Sequence, residues 1–258
     1  MKTIIAIFAA TLALAACGGG QGAPGNMPPI AISYHNSEKI ESLRFTDYKA
    51  VVERAAPSYV RVIVRYKGSG QESIDMAGGV INGASGVIVD GSGLVVTAAH
   101  IALSTAHAAE IITIDGVRHP AQMLRVERPR ELALLRMTPF AGMKPAVFAD
   151  SDALTRGESV FAIGTPDNKG GVVSLGRVIE PKLTQRLDYN GFGFSDAIKM
   201  GIAVKPGNSG GPVYDRQGRF LGIVGAFGLD NTENFDPKDP PLGYAVPSNA
   251  VRAFAGVR

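Results

Sequence analysis

The chain has 258 residues, 45% hydrophobic and 19% charged, which fits one or two soluble globular domains. Its net charge of +3 is too small to imply a nucleic-acid partner, and no basic run or RNA-binding signature argues for one. There is no Trp, and 32 glycines point to many turns, so a turn-rich β protein fits better than a helical bundle.

In chain order, the first residues read as an address. Met1-Lys2 is a short basic start, and Ile4 to Ala16 is an apolar stretch. A bilayer-spanning helix needs about 20 residues, so this stretch has the dimensions of a secretory signal instead. Leu14-Ala15-Ala16-Cys17 resembles the bacterial lipoprotein lipobox, in which cleavage precedes a cysteine that is then acylated. Cys17 is the only cysteine of the chain and has no partner for an internal disulfide. The alternative is a plain secretory signal with an incidental cysteine; lipidation accounts for the lone thiol. Residues 1–16 are therefore expected to be a lipoprotein signal peptide, and 17–29 a lipidated Gly/Pro-rich tether reaching about 20 Å. Gly18 stands where an inner-membrane retention Asp would be, which by the same resemblance favours the outer membrane, facing the periplasm.

Residues 30–45 carry no clear pattern. Thr46-Asp47 suits a helix cap, and Tyr48, Val51, Val52 and Ala55 share one helical face, with Pro57 closing it. Tyr59 to Tyr66 alternates as a strand with Val60, Val62 and Val64 on one face. Gly86 to Val89 and Leu94 to Thr97 flank the turn Asp90-Gly91-Ser92-Gly93. Ile111 to Ile114 and Val117 to Val126 flank Asp115-Gly116, a strong two-residue hairpin signal. Further strands are expected at Glu131 to Met137, Ser159 to Ile163, Val172 to Ile179, Ala197 to Val204, Pro212 to Tyr214 and Phe220 to Ala226, with a turn at Asp215 to Gly218. Met76 to Gly83 and Leu229 to Pro241 read as longer loops. Short strands at this spacing make an all-β barrel or sandwich.

The chemistry is concentrated in Gly207-Asn208-Ser209-Gly210-Gly211-Pro212. Glycines let the chain turn sharply around a serine and aim N–H groups at one point. A donor pocket beside a hydroxyl is what acyl transfer needs, because negative charge develops on the carbonyl oxygen. A serine needs a base, and the base an orienting group. Of the histidines His35, His100, His107 and His119, only His100 ends a glycine-flanked hairpin, through Thr97-Ala98-Ala99-His100; a structural role suits His119 better. The alternative readings are a Gly-rich turn with an ordinary serine and a core or capping histidine.

Both motifs, in His-then-Ser order, resemble those of chymotrypsin-fold serine proteases, and with Pro206 included they look most like the Deg (HtrA) branch. The resemblance covers about residues 46–255 and implies two six-stranded antiparallel β-barrels of the chymotrypsin type with a short N-terminal helix, in one domain over 30–258. It implies Ser209 as nucleophile, His100 as base, and the N–H groups of Gly207 and Ser209 as the oxyanion hole. The family's third member is an Asp before an apolar strand, in Asp-Leu-Ala-Leu-Leu. Here the run is Glu131-Leu132-Ala133-Leu134-Leu135. A glutamate keeps the charge and both acceptor oxygens but is a methylene longer, so an intact triad is expected, slow where the extra length misplaces the carboxylate. The alternative is a solvent-facing Glu131 and an impaired site; Glu127, Asp150 and Asp152 are weaker substitutes. Ala203, six residues before the nucleophile where trypsin-type enzymes carry an acid, and Gly225 on the pocket wall imply small or aliphatic P1 residues. Leu242 to Asn249 resembles the segment closing the protease domain. Only nine residues follow it, so a PDZ domain is not expected. The resemblance implies a serine endopeptidase of the bacterial envelope acting on unfolded or flexible protein segments, with no metal or organic cofactor. The alternatives are a binding or chaperone-like protein of the same fold, impaired through Glu131, and a small-ester hydrolase.

Overall fold

A computed structural model describes residues 29–35, 48–66, 80–101, 106–166, 170–228 and 242–258. The leader, Cys17, the tether, the Thr46-Asp47 cap and the loop 229–241 lie outside these residues. Strand β1 (Ile32–His35) and helix α1 (Lys49–Ala55) lead into β2 (Tyr59–Tyr66), β3 (Val80–Ile88), β4 (Leu94–Ala98), β5 (Ala106–Ile112), β6 (Arg118–Glu127) and β7 (Leu132–Met137). Strands β2 to β7 close into a six-stranded antiparallel barrel in the order β2-β3-β4-β7-β6-β5. Val60, Val62 and Val64, alternate residues of β2, turn inward and pack with Ile88, Val95, Ile111 and Leu135.

The second half runs through β8 (Ser159–Gly164), β9 (Gly171–Glu180), the hairpin β10 (Leu187–Tyr189) and β11 (Phe192–Phe194), β12 (Ile198–Met200), β13 (Pro212–Asp215), β14 (Phe220–Gly228) and β15 (Leu242–Pro247), ending in helix α2 (Ser248–Ala255). Order β9-β12-β15-β14-β13-β8 closes through β8 on β9 into a second six-stranded barrel. Val160, Ala162, Met200, Val213 and Val224 fill it.

A third apolar cluster lies between the barrels, combining Tyr59, Leu132 and Leu134 with Phe161, Tyr214 and Phe220. Both helices pack into this seam. Helix α1 precedes the first barrel yet packs on the second: Tyr48 meets Phe161 edge-on, and Tyr214 Oη lies 2.6 Å from Ser58 Oγ. Helix α2 follows the second barrel yet packs on β4 and β7 of the first. The Arg125 guanidinium lies 4.2 Å over the Phe254 ring and donates to Phe254 O.

The all-β, two-barrel architecture with its N-terminal helix is as the family resemblance implies, with local differences. Pro57 does not end the helical path; a 3-10 turn, Ala56–Ser58, continues through it. Strand β3 starts at Val80, so 80–83 belong to the sheet and not to a loop. Only Ile198–Met200 of the stretch Ala197 to Val204 is strand. Ile32–His35 adds to β9 in parallel, with Ile32 opposite Gly171. Helix α2 was unforeseen, although Val251 and Phe254, three apart, bury one face.

Candidate active site

His100 and Glu131 leave the first barrel together. On neighbouring strands β4 and β7, Ala98 pairs with Leu132, and one step outward the Ala99 N–H donates to Glu131 O at 3.2 Å. His100 follows on the turn after β4. Glu131 follows the 3-10 turn Arg128–Arg130 and sits at φ 56°, the left-handed region that side-chain-bearing residues avoid. That backbone turns the longer carboxylate back into the protein. Glu131 is fully buried, and Oε1 accepts from His100 Nδ1 at 2.5 Å and from the His100 backbone N–H at 3.2 Å. A carboxylate is acceptor-only, so this contact puts the proton on Nδ1 and leaves Nε2 free to act as a base. The His100 side chain is 27% exposed, enough to reach a substrate. Among the described residues, Glu131 Oε2 accepts no hydrogen bond although it is buried.

The nucleophile turn is built by its backbone. Pro206 and Gly207 are the central residues of a turn closed by the Asn208 N–H donating to Lys205 O at 3.0 Å. Gly207 has φ +96°, which this kind of turn requires at its third residue. Gly210 and Gly211 let the turn dock closely. A Cβ built on Gly210 would fall 2.2 Å from Thr97 Oγ1, 2.3 Å from Ser85 O and 2.9 Å from Ala98 N. The chain next to Ser209 thus touches the strand that ends in His100. Ser85 locks this contact: its Oγ donates to Gly207 O at 2.7 Å, its N–H donates to Ser209 O at 3.0 Å, and its own carbonyl accepts from Thr97 Oγ1 at 2.7 Å. The N–H groups of Asn208, Gly210 and Gly211 donate to Lys205 O, Val224 O and Asn208 O. Among the described residues, those of Gly207 and Ser209 are committed to no acceptor.

The other candidates lie elsewhere. His119 stacks on Phe140 with centroids 4.7 Å apart, and the side chains of His35 and His107 lie outside the described residues. Glu127 pairs with Arg125 and Arg130, while Asp150 caps a 3-10 turn and accepts from Asn249 at 2.7 Å. Asp152 also accepts from Asn249. Ala203 is half-buried beyond β12. Gly225 is buried on β14, where a Cβ would meet the Phe194 ring at 2.8 Å and Val246 at 3.2 Å.

Sequence reasoning missed the element that covers the pair. The hairpin β10–β11, a separate two-stranded sheet between β9 and β12 in the chain, packs through β11 on the turn Arg128–Arg130. Tyr189 and Phe192 each meet the His100 ring edge-on at 6.3 Å, and the Tyr189 hydroxyl donates to Gly225 O at 2.7 Å. The signal was present: Asn190-Gly191 joins the two strands with φ 47° and 79°, the positive values of a two-residue hairpin turn.

Residues 84–223 match the trypsin-like peptidase domain family. The chain is 33% identical over 144 residues to the magnetosome formation protease MamE of Magnetospirillum gryphiswaldense, covering 55% of this chain and 18% of that protein. It is 30% identical over 148 residues to a probable periplasmic serine endoprotease, DegP-like, of Brucella suis, covering 56% and 27%. Against the serine protease Do-like HtrA of Bacillus subtilis it is 30% identical over 149 residues, covering 55% and 31%. The chain therefore spans less than a third of the length of each of these relatives. A solved structure of the HtrA-type protease AlgW with a tripeptide superposes with a TM-score of 0.64 at 23% identity, covering 82% of this chain and 62% of that one, which shows a shared fold.

Proposed function

The chain belongs to the trypsin-like peptidase domain family, and on that premise we propose that it is a serine endopeptidase of the bacterial envelope, working through His100, Glu131 and Ser209. In this reading Ser209 Oγ attacks the scissile carbonyl and His100 Nε2 takes its proton. Glu131 holds the Nδ1–H and offsets the charge of the imidazolium. The uncommitted N–H groups of Gly207 and Ser209 receive the oxyanion. His100 then returns the proton to the leaving amine, and a water deprotonated by His100 releases the acyl group.

The observation that carries the reading is the 2.5 Å contact between His100 Nδ1 and Glu131 Oε1, beside a serine turn docked on Thr97 and Ala98. The serine-protease names of the relatives support it, and the DegP-like relative is named periplasmic. A P1 preference for small or aliphatic residues follows from uncharged Ala203 and from Gly225, whose face is covered by Phe194. Cleavage mainly after Lys or Arg in a peptide-library digest would contradict it. Attachment through Cys17 belongs to the same proposal, and it requires that radiolabelled palmitate enter the protein and be lost in Cys17→Ser.

The decisive experiment is labelling of the protein with a fluorophosphonate probe beside Ser209→Ala, together with casein cleavage. Ser209-dependent labelling with proteolysis is expected, and absence of such labelling would sink the enzyme reading. The second reading, a protease-fold binding protein, draws on the lone buried Oε2 of Glu131, which weakens the hold on His100. Casein binding that survives Ser209→Ala without any Ser209 labelling would favour it, whereas labelling without proteolysis would favour a small-ester hydrolase or a gated protease.

A further inference from the structure

We propose that Tyr189 is a positioning residue for the His100–Glu131 pair: its hydroxyl serves as the donor for Glu131 Oε2 and exchanges that bond with the one to Gly225 O. The inference rests on the reading of His100, Glu131 and Ser209 as a catalytic site, and deepens it.

Two observations meet at this point. Glu131 is fully buried, and one of its oxygens, Oε2, has no hydrogen-bond partner among the described residues. A buried, unpaired acceptor on an ionised carboxylate is costly, and such atoms are nearly always satisfied. The hairpin β10–β11 holds the Tyr189 ring edge-on to His100, the partner of Glu131, at 6.3 Å, with its hydroxyl donating to Gly225 O at 2.7 Å. A phenol has one proton, which Gly225 O holds in this structure while Glu131 Oε2 lacks a donor among the described residues. A carboxylate makes the stronger bond of the two because it is charged. The ionisation behaviour of the phenol agrees: burial raises its pKa most, and the negative charge of Glu131 raises it further.

The remaining charges around the pair do not supply this donor. Arg128 lies 5.2 Å over the Phe192 ring. Arg186 and Asp188 pair with each other at 2.8 Å on the exposed part of the hairpin, and Glu127 is occupied by Arg125 and Arg130. A hairpin from the second half of the chain thus supplies, through one hydroxyl, the second hold on an acid that belongs to the first barrel. A donor on Oε2 matters most when His100 is neutral and the carboxylate charge is uncompensated. It therefore stabilises the state that can act as a base.

The test uses the full chain with Tyr189→Phe, which keeps the ring and removes the hydroxyl, beside Phe192→Leu, which loosens the packing and keeps it. Ser209-directed fluorophosphonate labelling and peptide hydrolysis are followed across pH, and solvent exchange of the His100 Nδ1 proton is followed by NMR. Tyr189→Phe is expected to lower the labelling rate and kcat about ten-fold, by loosened positioning, with KM little changed. It should also displace the acidic limb of the profile upward and speed Nδ1 proton exchange, with Phe192→Leu losing less. Rates and exchange equal to the parent's would overturn the proposal, as would a larger loss in Phe192→Leu. A gain in activity would overturn it too, since the phenol would then be an obstruction over the cleft. If the parent is not labelled at Ser209, the protease reading fails separately. Proton exchange then still decides, with faster exchange in Tyr189→Phe supporting the hold on Glu131 and unchanged exchange refuting it.

Discussion

Glu131 combines three constraints that rarely meet in one residue: full burial, a negative charge and a left-handed backbone at φ 56°. Each is costly, the backbone alone by about 1 kcal/mol, and together they mark a residue held for a purpose. Its position was readable from the apolar run Leu132 to Leu135 that follows it. Its backbone was not, because nothing in the local sequence demands positive φ from a glutamate. That conformation answers how a side chain one methylene longer than aspartate fits: the extra length is taken up by turning the chain back toward His100. On the proposed reading the site is built around glutamate. Glu131→Asp should withdraw the carboxylate from Nδ1 and slow Ser209 labelling about 100-fold. Glu131→Gln keeps the size, loses the charge and offers a donor where an acceptor is needed, so a loss of about 10⁴-fold in kcat is expected. Equal or higher rates in Glu131→Asp, measured as kcat/KM on one peptide, would mean that the glutamate is a handicap.

At the scale of elements, the site is a joint between two turns and a hairpin, and it was legible in proportion to how local its signals are. The histidine hairpin and the serine turn announce themselves through glycines close in sequence. The alternation of β2 and the Asp115-Gly116 hairpin are equally local. Ser85 escaped notice, because its three bonds reach Thr97, Gly207 and Ser209, positions that only the fold assembles. Strand β1 escaped for the same reason, since a parallel partner more than a hundred residues away leaves no periodic mark. The hairpin carrying Tyr189 is different: Asn190-Gly191 signalled it, between strands too short to stand out. The close docking of the serine turn gives a sharp expectation. Gly210→Ala places a methyl 2.2 Å from Thr97 Oγ1 at a residue with φ +77°. It should cost on the order of 3 kcal/mol in urea unfolding and remove Ser209 labelling. Gly91→Ala, with nothing within 4 Å of its Cβ, is the matched control and should stay within about 0.5 kcal/mol of the parent.

For the whole molecule, the seam between the barrels joins the half that carries His100 to the half that carries Ser209, and it is rich in buried tyrosine. Tyr59 is buried and its phenol is pushed up to about 12, by burial first, with contacts to Thr165 and Ser85 working against the rise. Tyr214, bonded to Ser58 at the root of α1, is pushed up further, again by burial, with the Ser58 contact opposing. The direction of the stability effect follows from which state releases protons first. An unfolded tyrosine ionises near its ordinary value of about 10, whereas these phenols keep their protons well above it when folded. Their contribution is therefore complete below about pH 10 and drains away as the pH rises toward the folded values. Each phenol removes about 1.4 kcal/mol of stability per pH unit in that window, so the pair removes roughly 3. Across two units this reaches about 5 kcal/mol, comparable with the whole stability of many domains. Urea midpoints followed by circular dichroism should hold steady between about pH 7 and 9 and fall steeply between about pH 10 and 12. The doubly substituted Tyr59→Phe, Tyr214→Phe chain should lose most of that slope while starting from a lower midpoint at neutral pH, because the Tyr214 hydroxyl also joins Ser58 to β13. Parallel alkaline slopes in the two proteins would show that other charges, not the phenols of the seam, set the alkaline limit. If the seam is the weak point, Ser209 labelling should be lost over the same pH window as the circular dichroism signal, because separated barrels no longer hold the serine turn against Thr97.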